Sequence, residues 1–135
     1  MDNPTSPSNP FADAPVIFAY TRKQAIEDGL LVDLTSWAAE TGFVIPVAAT
    51  AAVWHQWLVP PPEARSMGQC ERGRTHDLLT CLLAAIRCSA NGECVHFQVI
   101  FQQAVRCHSM PHFKAIIGPG DAGEPVLTVL LPTED

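Results

Sequence analysis

Apolar and polar positions follow two different rhythms along this chain, and each change of rhythm marks an element. The strongest helical rhythm begins at Thr75. Leu78, Leu79, Leu82, Leu83 and Ile86 recur at i, i+1, i+4, i+5 and i+8, one apolar face at helical spacing. Asn91-Gly92 is expected to end that helix. The rhythm then shortens to two: Val95, Phe97, Val99 and Phe101 are apolar at alternate positions, which predicts a strand over 94–101. Further strands are predicted over 112–117 and 126–131. Between them, Gly118-Pro119-Gly120-Asp121-Ala122-Gly123 favours a hairpin connection.

The N-terminal half is made of shorter pieces. The β-branched and aromatic run over 16–20 predicts a strand. Thr21 and Gln24 stand in the capping-box relation, opening a helix over 22–28 that stops at Gly29. Residues 30–34 read as extended. Thr35 and Ser36 open a second short helix, closed by Gly42. The segment 43–47 reads as extended, since Pro46 opposes helix there. Thr50 can cap a third helix over 51–58, which carries Val53, Trp54 and Trp57 and ends at Pro60-Pro61-Pro62. Residues 60–73 read as a polar loop. Residues 1–14, rich in Pro, Ser and Asn with little to bury, read as a disordered tail, and 15–135 as one domain. The expected class is α+β: a small antiparallel sheet of the three C-terminal strands plus an N-terminal strand. One long helix and two or three short ones pack against it.

Charge narrows the function. Eight basic residues stand against 14 acidic ones, a net charge of −6, and the acids are scattered. Direct nucleic-acid binding needs clustered Lys and Arg, so it is not expected. An anionic membrane surface is disfavoured for the same reason. The N-terminus has neither the basic nor the apolar region of a secretion signal, and no stretch approaches a membrane span. The expected compartment is a reducing cytoplasm, with most of Cys70, Cys81, Cys88, Cys94 and Cys107 serving as small apolar residues.

Candidate chemistry is sparse. The cysteines lack the close C-x₂₋₄-C pair of a structural zinc site, so no metal site is expected, and no cofactor. Cys107 and His108 are neighbours in sequence, which does not make a nucleophile and base meet in space. The 118–123 loop leads into a strand and holds no lysine, unlike a phosphate loop. No catalytic residue is assigned. Lys23 and Glu27 fit a solvated i,i+4 pair, or part of a charged recognition helix. Trp54 and Trp57, at i,i+3, fit core packing or an aromatic anchor. Arg65, Arg72 and Arg74 read as solvated.

The blocks YTRKQAIEDGLLVDLT, GFVIPVAATAAVW, GRTHDLLTCLLAAIR and HFKAIIGPGDAGEPVLTVLLPTED, in that order, resemble a domain family of unknown function. That family is carried on plasmids, integrative elements and phages of proteobacteria. The likeness covers about residues 16–135, and the cysteines are not part of the family's pattern. It implies an accessory protein of a mobile element, and it brings no catalytic residues. Such neighbourhoods often encode counter-defence proteins of the anti-CRISPR or antirestriction type.

The expectation is therefore a non-enzymatic binding protein that inhibits or redirects a host nucleic-acid-handling defence complex by meeting its basic surface. Partner-binding candidates are Arg22, Lys23, Glu27, Asp28, Asp33, Glu40, Trp54, Trp57 and Asp121. Two alternatives stay open: a small enzyme that modifies a host protein, and an accessory module that forms a homodimer through a sheet edge.

Overall fold

A computed structural model of the chain describes residues 20–89 and 93–134. The expected tail over 1–14, the Asn91-Gly92 helix stop, and the strand over 16–20 apart from Tyr20 all lie outside these residues. The described elements, in order, are α1 (Arg22–Glu27), β1 (Leu31–Asp33), α2 (Thr35–Thr41) and β2 (Val47–Thr50). A single turn, α3 (Ala51–Val53), then runs into a π-helical turn (Trp54–Leu58). After α4 (Pro62–Arg65) and the long α5 (Glu71–Cys88) come β3 (Cys94–Gln98), β4 (Phe101–Ala104), β5 (Cys107–Ser109), β6 (His112–Pro119) and β7 (Pro125–Leu130).

The class is α+β. A five-stranded sheet runs in the order β1-β2-β7-β6-β3, and β4-β5 form a separate ribbon. The three C-terminal strands pair antiparallel, with Val95 opposite Ala115 and Ala115 opposite Val129. The sheet then continues past β7 into a parallel junction, Val47 opposite Leu127, and closes with β1 antiparallel to β2. Periodicity does not distinguish a parallel pair from an antiparallel one, so this junction is a product of topology. Helix α5 packs against α2 and β3 on one face of the sheet. Leu78, Leu79 and Leu82 meet Phe97, Phe113, Leu127 and Val129 there, in a core that also takes in Leu34, Val53 and Leu58.

Three of the differences from the sequence reading have a clear local physical reason. The predicted strand over 94–101 breaks after Gln98. Val99 donates its N–H to the carbonyl of Pro111 at 3.3 Å. Pro111 has no N–H to return, so the ladder stops there and Phe101 opens the ribbon. Helix α5 starts one turn earlier than Thr75, at Glu71, with the Cys70 sulfur accepting the Gly73 N–H at 3.4 Å. The supposed polar loop before it contains α4, begun by Pro62 at a position that suits proline. Arg65 ties the two helices together through a two-pronged bond to Glu71 at 2.9 and 3.0 Å.

Arg74 is not solvated; it is 1% exposed. Its guanidinium donates to the carbonyls of Trp57 and Gln102 and to the side-chain oxygens of Gln69 and Gln103. The cation also lies 4.9 Å from the centre of the Phe101 ring. Desolvation lowers its pKa from the ordinary value. The Trp57 carbonyl lies in the π turn with Pro60, Pro61 and Pro62 at the positions where a helical N–H donor would stand, so Arg74 supplies the donor it lacks. This one side chain joins the π turn, α5 and β4.

Four of the five cysteines are not core residues either; only Cys81 packs against the core. Cys70, Cys88, Cys94 and Cys107 are exposed and Cys81 is half-buried; all five are free thiols.

Candidate binding groove

A six-residue helix is marginal in water, so α1 needs its ends satisfied. Thr21 and Gln24 form the predicted capping box: the Thr21 hydroxyl accepts the Gln24 N–H, and the Gln24 side chain accepts the Thr21 N–H, each at 3.0 Å. The two donors between them are taken by a residue from the far end of the chain. Asp121, in the turn between β6 and β7, accepts the Arg22 N–H at 2.7 Å and the Lys23 N–H at 3.1 Å, one on each oxygen. All four N-terminal donors of α1 are therefore bonded.

The Arg22 side chain makes the return connection. It donates to the Thr128 hydroxyl at 2.7 Å and to the Leu127 carbonyl at 2.8 Å, both on β7. Burial lowers its pKa, and the charges of Asp33, Asp121 and Glu124 partly restore it. Asp33, at the end of β1, accepts the Thr35 N–H at 3.0 Å and the Thr35 hydroxyl at 2.6 Å. Thr35 also accepts the N–H of Val47, which fixes β1, α2 and β2 relative to one another. Glu124 accepts the Ala122 N–H at 3.0 Å and so folds back over its own turn.

These contacts frame a groove of about 390 Å³ between α1, the α2 entrance and the β6–β7 turn. Arg22, Lys23, Glu27, Asp33 and Asp121 line it, with Thr35, Pro46, Glu124, Ile26 and Val126. Five of the nine sequence candidates thus share one site. Glu124 and Thr35 escaped the sequence reading. An acid three residues after Asp121 in the same turn was the available signal for Glu124.

The other four candidates lie elsewhere. Asp28 ends α1 and accepts the Tyr20 hydroxyl, which raises the pKa of that phenol. Glu40 pairs with Arg72 at 2.7 Å beside a second cavity, of about 430 Å³, lined by Trp37, Cys70, Gly73 and His76. Trp54 stacks on Trp37 at 6.4 Å and Trp57 on Phe101 at 6.2 Å, both half-buried against the core. No ion pair within 4 Å joins Lys23 to Glu27.

Two cationic side chains face four carboxylates, and the Arg22 guanidinium is held in place by its hydrogen bonds to β7. Cys107 and His108 are successive residues of β5, so their side chains leave opposite faces of the ribbon. Among the described residues no helix is long and apolar enough to cross a membrane.

The architecture defines an α+β domain built on a mixed five-stranded sheet, with an acidic groove at the edge where the first described helix meets the last hairpin. The chain belongs to a family of unknown function, DUF6573, whose model matches residues 8–135. Comparison with curated proteins and with solved structures produced no match.

Proposed function

We propose that the chain is a binding protein that acts without turnover, by seating a basic segment of a partner in the groove between α1 and the β6–β7 turn. The supporting observation is how the walls are held. Asp121 and Arg22 lock the turn and the sheet to α1 through hydrogen bonds to neutral groups, and around the opening the four carboxylates of Glu27, Asp33, Asp121 and Glu124 outnumber the two cations, Arg22 and Lys23. Rigid acidic walls favour a cationic ligand and raise its association rate. Further proposals rest on the resemblance of the four sequence blocks and on the net charge of −6. They hold that the gene travels on mobile elements of proteobacteria, and that the partner is a host complex handling nucleic acid in defence.

The test is a pull-down of the tagged chain from its host at two salt concentrations, followed by titration of the recovered partner. Glu27→Lys and Asp33→Asn should weaken capture and flatten its salt dependence. Charge changes at Asp28 and Glu40, which do not line the groove, should leave both unaltered. Saturation near one to one is expected of a binder, whereas an enzyme would act at substoichiometric amounts. Capture that ignores Glu27→Lys and Asp33→Asn would overturn the reading.

A further inference from the structure

Cys94 and His96 stand two residues apart on β3, so their side chains leave the same face of the sheet. Both are exposed, and the Cys94 sulfur lies 3.9 Å from the His96 Nε2. Two ligands of one tetrahedral zinc ion, with bonds of about 2.3 Å to sulfur and 2.0–2.1 Å to nitrogen, stand about 3.6 Å apart. The pair is therefore within a few tenths of an ångström of the spacing zinc requires. It supplies only half a ligand set. Among the described residues of one chain, no three His, Cys, Asp or Glu side chains are grouped to hold a metal.

The strand that carries the pair is also incomplete. β3 is the outer strand of the sheet, bonded to β6 on one side. Ile117 donates to the Glu93 carbonyl at 2.9 Å and Val99 to the Pro111 carbonyl at 3.3 Å, so the odd-numbered residues address β6. It follows that the N–H and C=O groups of Cys94, His96 and Gln98 point to the other side. Among the described residues no strand pairs with that side. The strand itself, Cys-Val-His-Phe-Gln, carries neither charge nor proline, the devices that normally keep an edge from pairing.

We infer that two copies of the chain join antiparallel through β3, and that the joint carries a zinc-type divalent ion held by Cys94 and His96 of both. A twofold axis at Val95 sets Cys94 of one copy opposite His96 of the other, and both members of each pair offer outward backbone groups. Each pair closes a ring of two hydrogen bonds. The four side chains then stand on one face at the corners of a rectangle of about 5.5 by 7 Å between Cα atoms. Each Cys94 thiol gives its proton to solvent as its sulfur bonds the metal, and no oxidant is involved. Lys114, which faces His96 across the β3–β6 ladder and lies diagonal to Cys94, adds a positive charge on the same face. Neither half of the site is complete without the other copy. This inference is independent of the groove.

The experiment is sedimentation equilibrium of the full chain, reduced, with zinc chloride and then with excess EDTA. Zinc should tighten dimerisation by roughly 10- to 100-fold, at one ion per two chains, and EDTA should reverse it. Cobalt in place of zinc should produce the thiolate charge-transfer absorption and strong visible bands of a tetrahedral site. Cys94→Ser and His96→Ala should abolish the zinc effect and the cobalt bands, while Cys107→Ser should keep both. Because Cys94 and His96 are exposed, these variants should keep the wild-type circular dichroism. A chain that stays monomeric in zinc overturns the inference. So does binding of one ion per chain, a dimer indifferent to zinc, or zinc-dependent dimerisation that survives Cys94→Ser or His96→Ala.

Discussion

Asp121 caps the helix that Arg22 begins, across a separation of 99 residues. The same Arg22 reaches back to Thr128 and Leu127 on the strand that follows the Asp121 turn. The two residues thus close a loop of contacts in which backbone and side chain exchange roles, and the first described helix is held by the last hairpin.

Removing the Asp121 carboxylate should therefore destabilise the domain as loss of a helix cap does. Asp121→Ala is expected to cost about 1 kcal/mol, and Asp121→Asn less, since its amide oxygen still accepts one N–H. Urea denaturation reads this as a lower midpoint with an unchanged slope. An unchanged midpoint in Asp121→Ala would show that the cap carries no stability.

Arg74 should be far less tolerant. Arg74→Met removes the donors that satisfy the buried carbonyls of Trp57 and Gln102, at an expected cost of about 2–4 kcal/mol. Arg74→Lys should recover only part of this, because an ammonium cannot reproduce the planar fork. The measure is again the denaturation midpoint, and equal stability for Met and Arg at this position would contradict the account.

Tyr20 is the sole tyrosine, so absorbance near 295 nm follows its ionisation directly. Its bond to Asp28 should place that transition above the ordinary value of 10.0, and Asp28→Asn should bring it back down. The sign for stability follows from the raised folded pKa. The contribution is whole below the unfolded value and is lost as pH rises through the folded one.

Glu71 behaves in the opposite sense. Its bond to Arg65 holds the carboxyl below its ordinary value of 4.5. That link between α4 and α5 is complete above the unfolded pKa and fades as pH falls through the folded one. In NMR titration the Glu71 side-chain resonance should move at lower pH than in Arg65→Ala.

The thiols divide by exposure. A thiol-specific chromogenic reagent should react quickly with Cys70, Cys88, Cys94 and Cys107 and slowly with Cys81, whose pKa burial and the neighbouring Asp77 push up. Five equal rates would refute this division.

What the sequence determined by itself was local. Thr21 and Gln24 announce a capping box because both partners lie within one helical turn. The leucines of α5 and the alternation of β3 reveal their buried faces because side-chain period is a property of the backbone. The fold class and the three C-terminal strands follow from those signals. Tertiary structure alone decided the rest: the parallel junction of β2 with β7, the inward turn of Arg74, the outward turn of the thiols, and the meeting of Asp121 with α1. The reason is physical. An arginine enters a core only where carbonyls from separate elements converge to receive it, and a carboxylate caps a distant helix only after the chain has folded back. Both depend on contacts between residues far apart in sequence, which neither spacing nor propensity encodes.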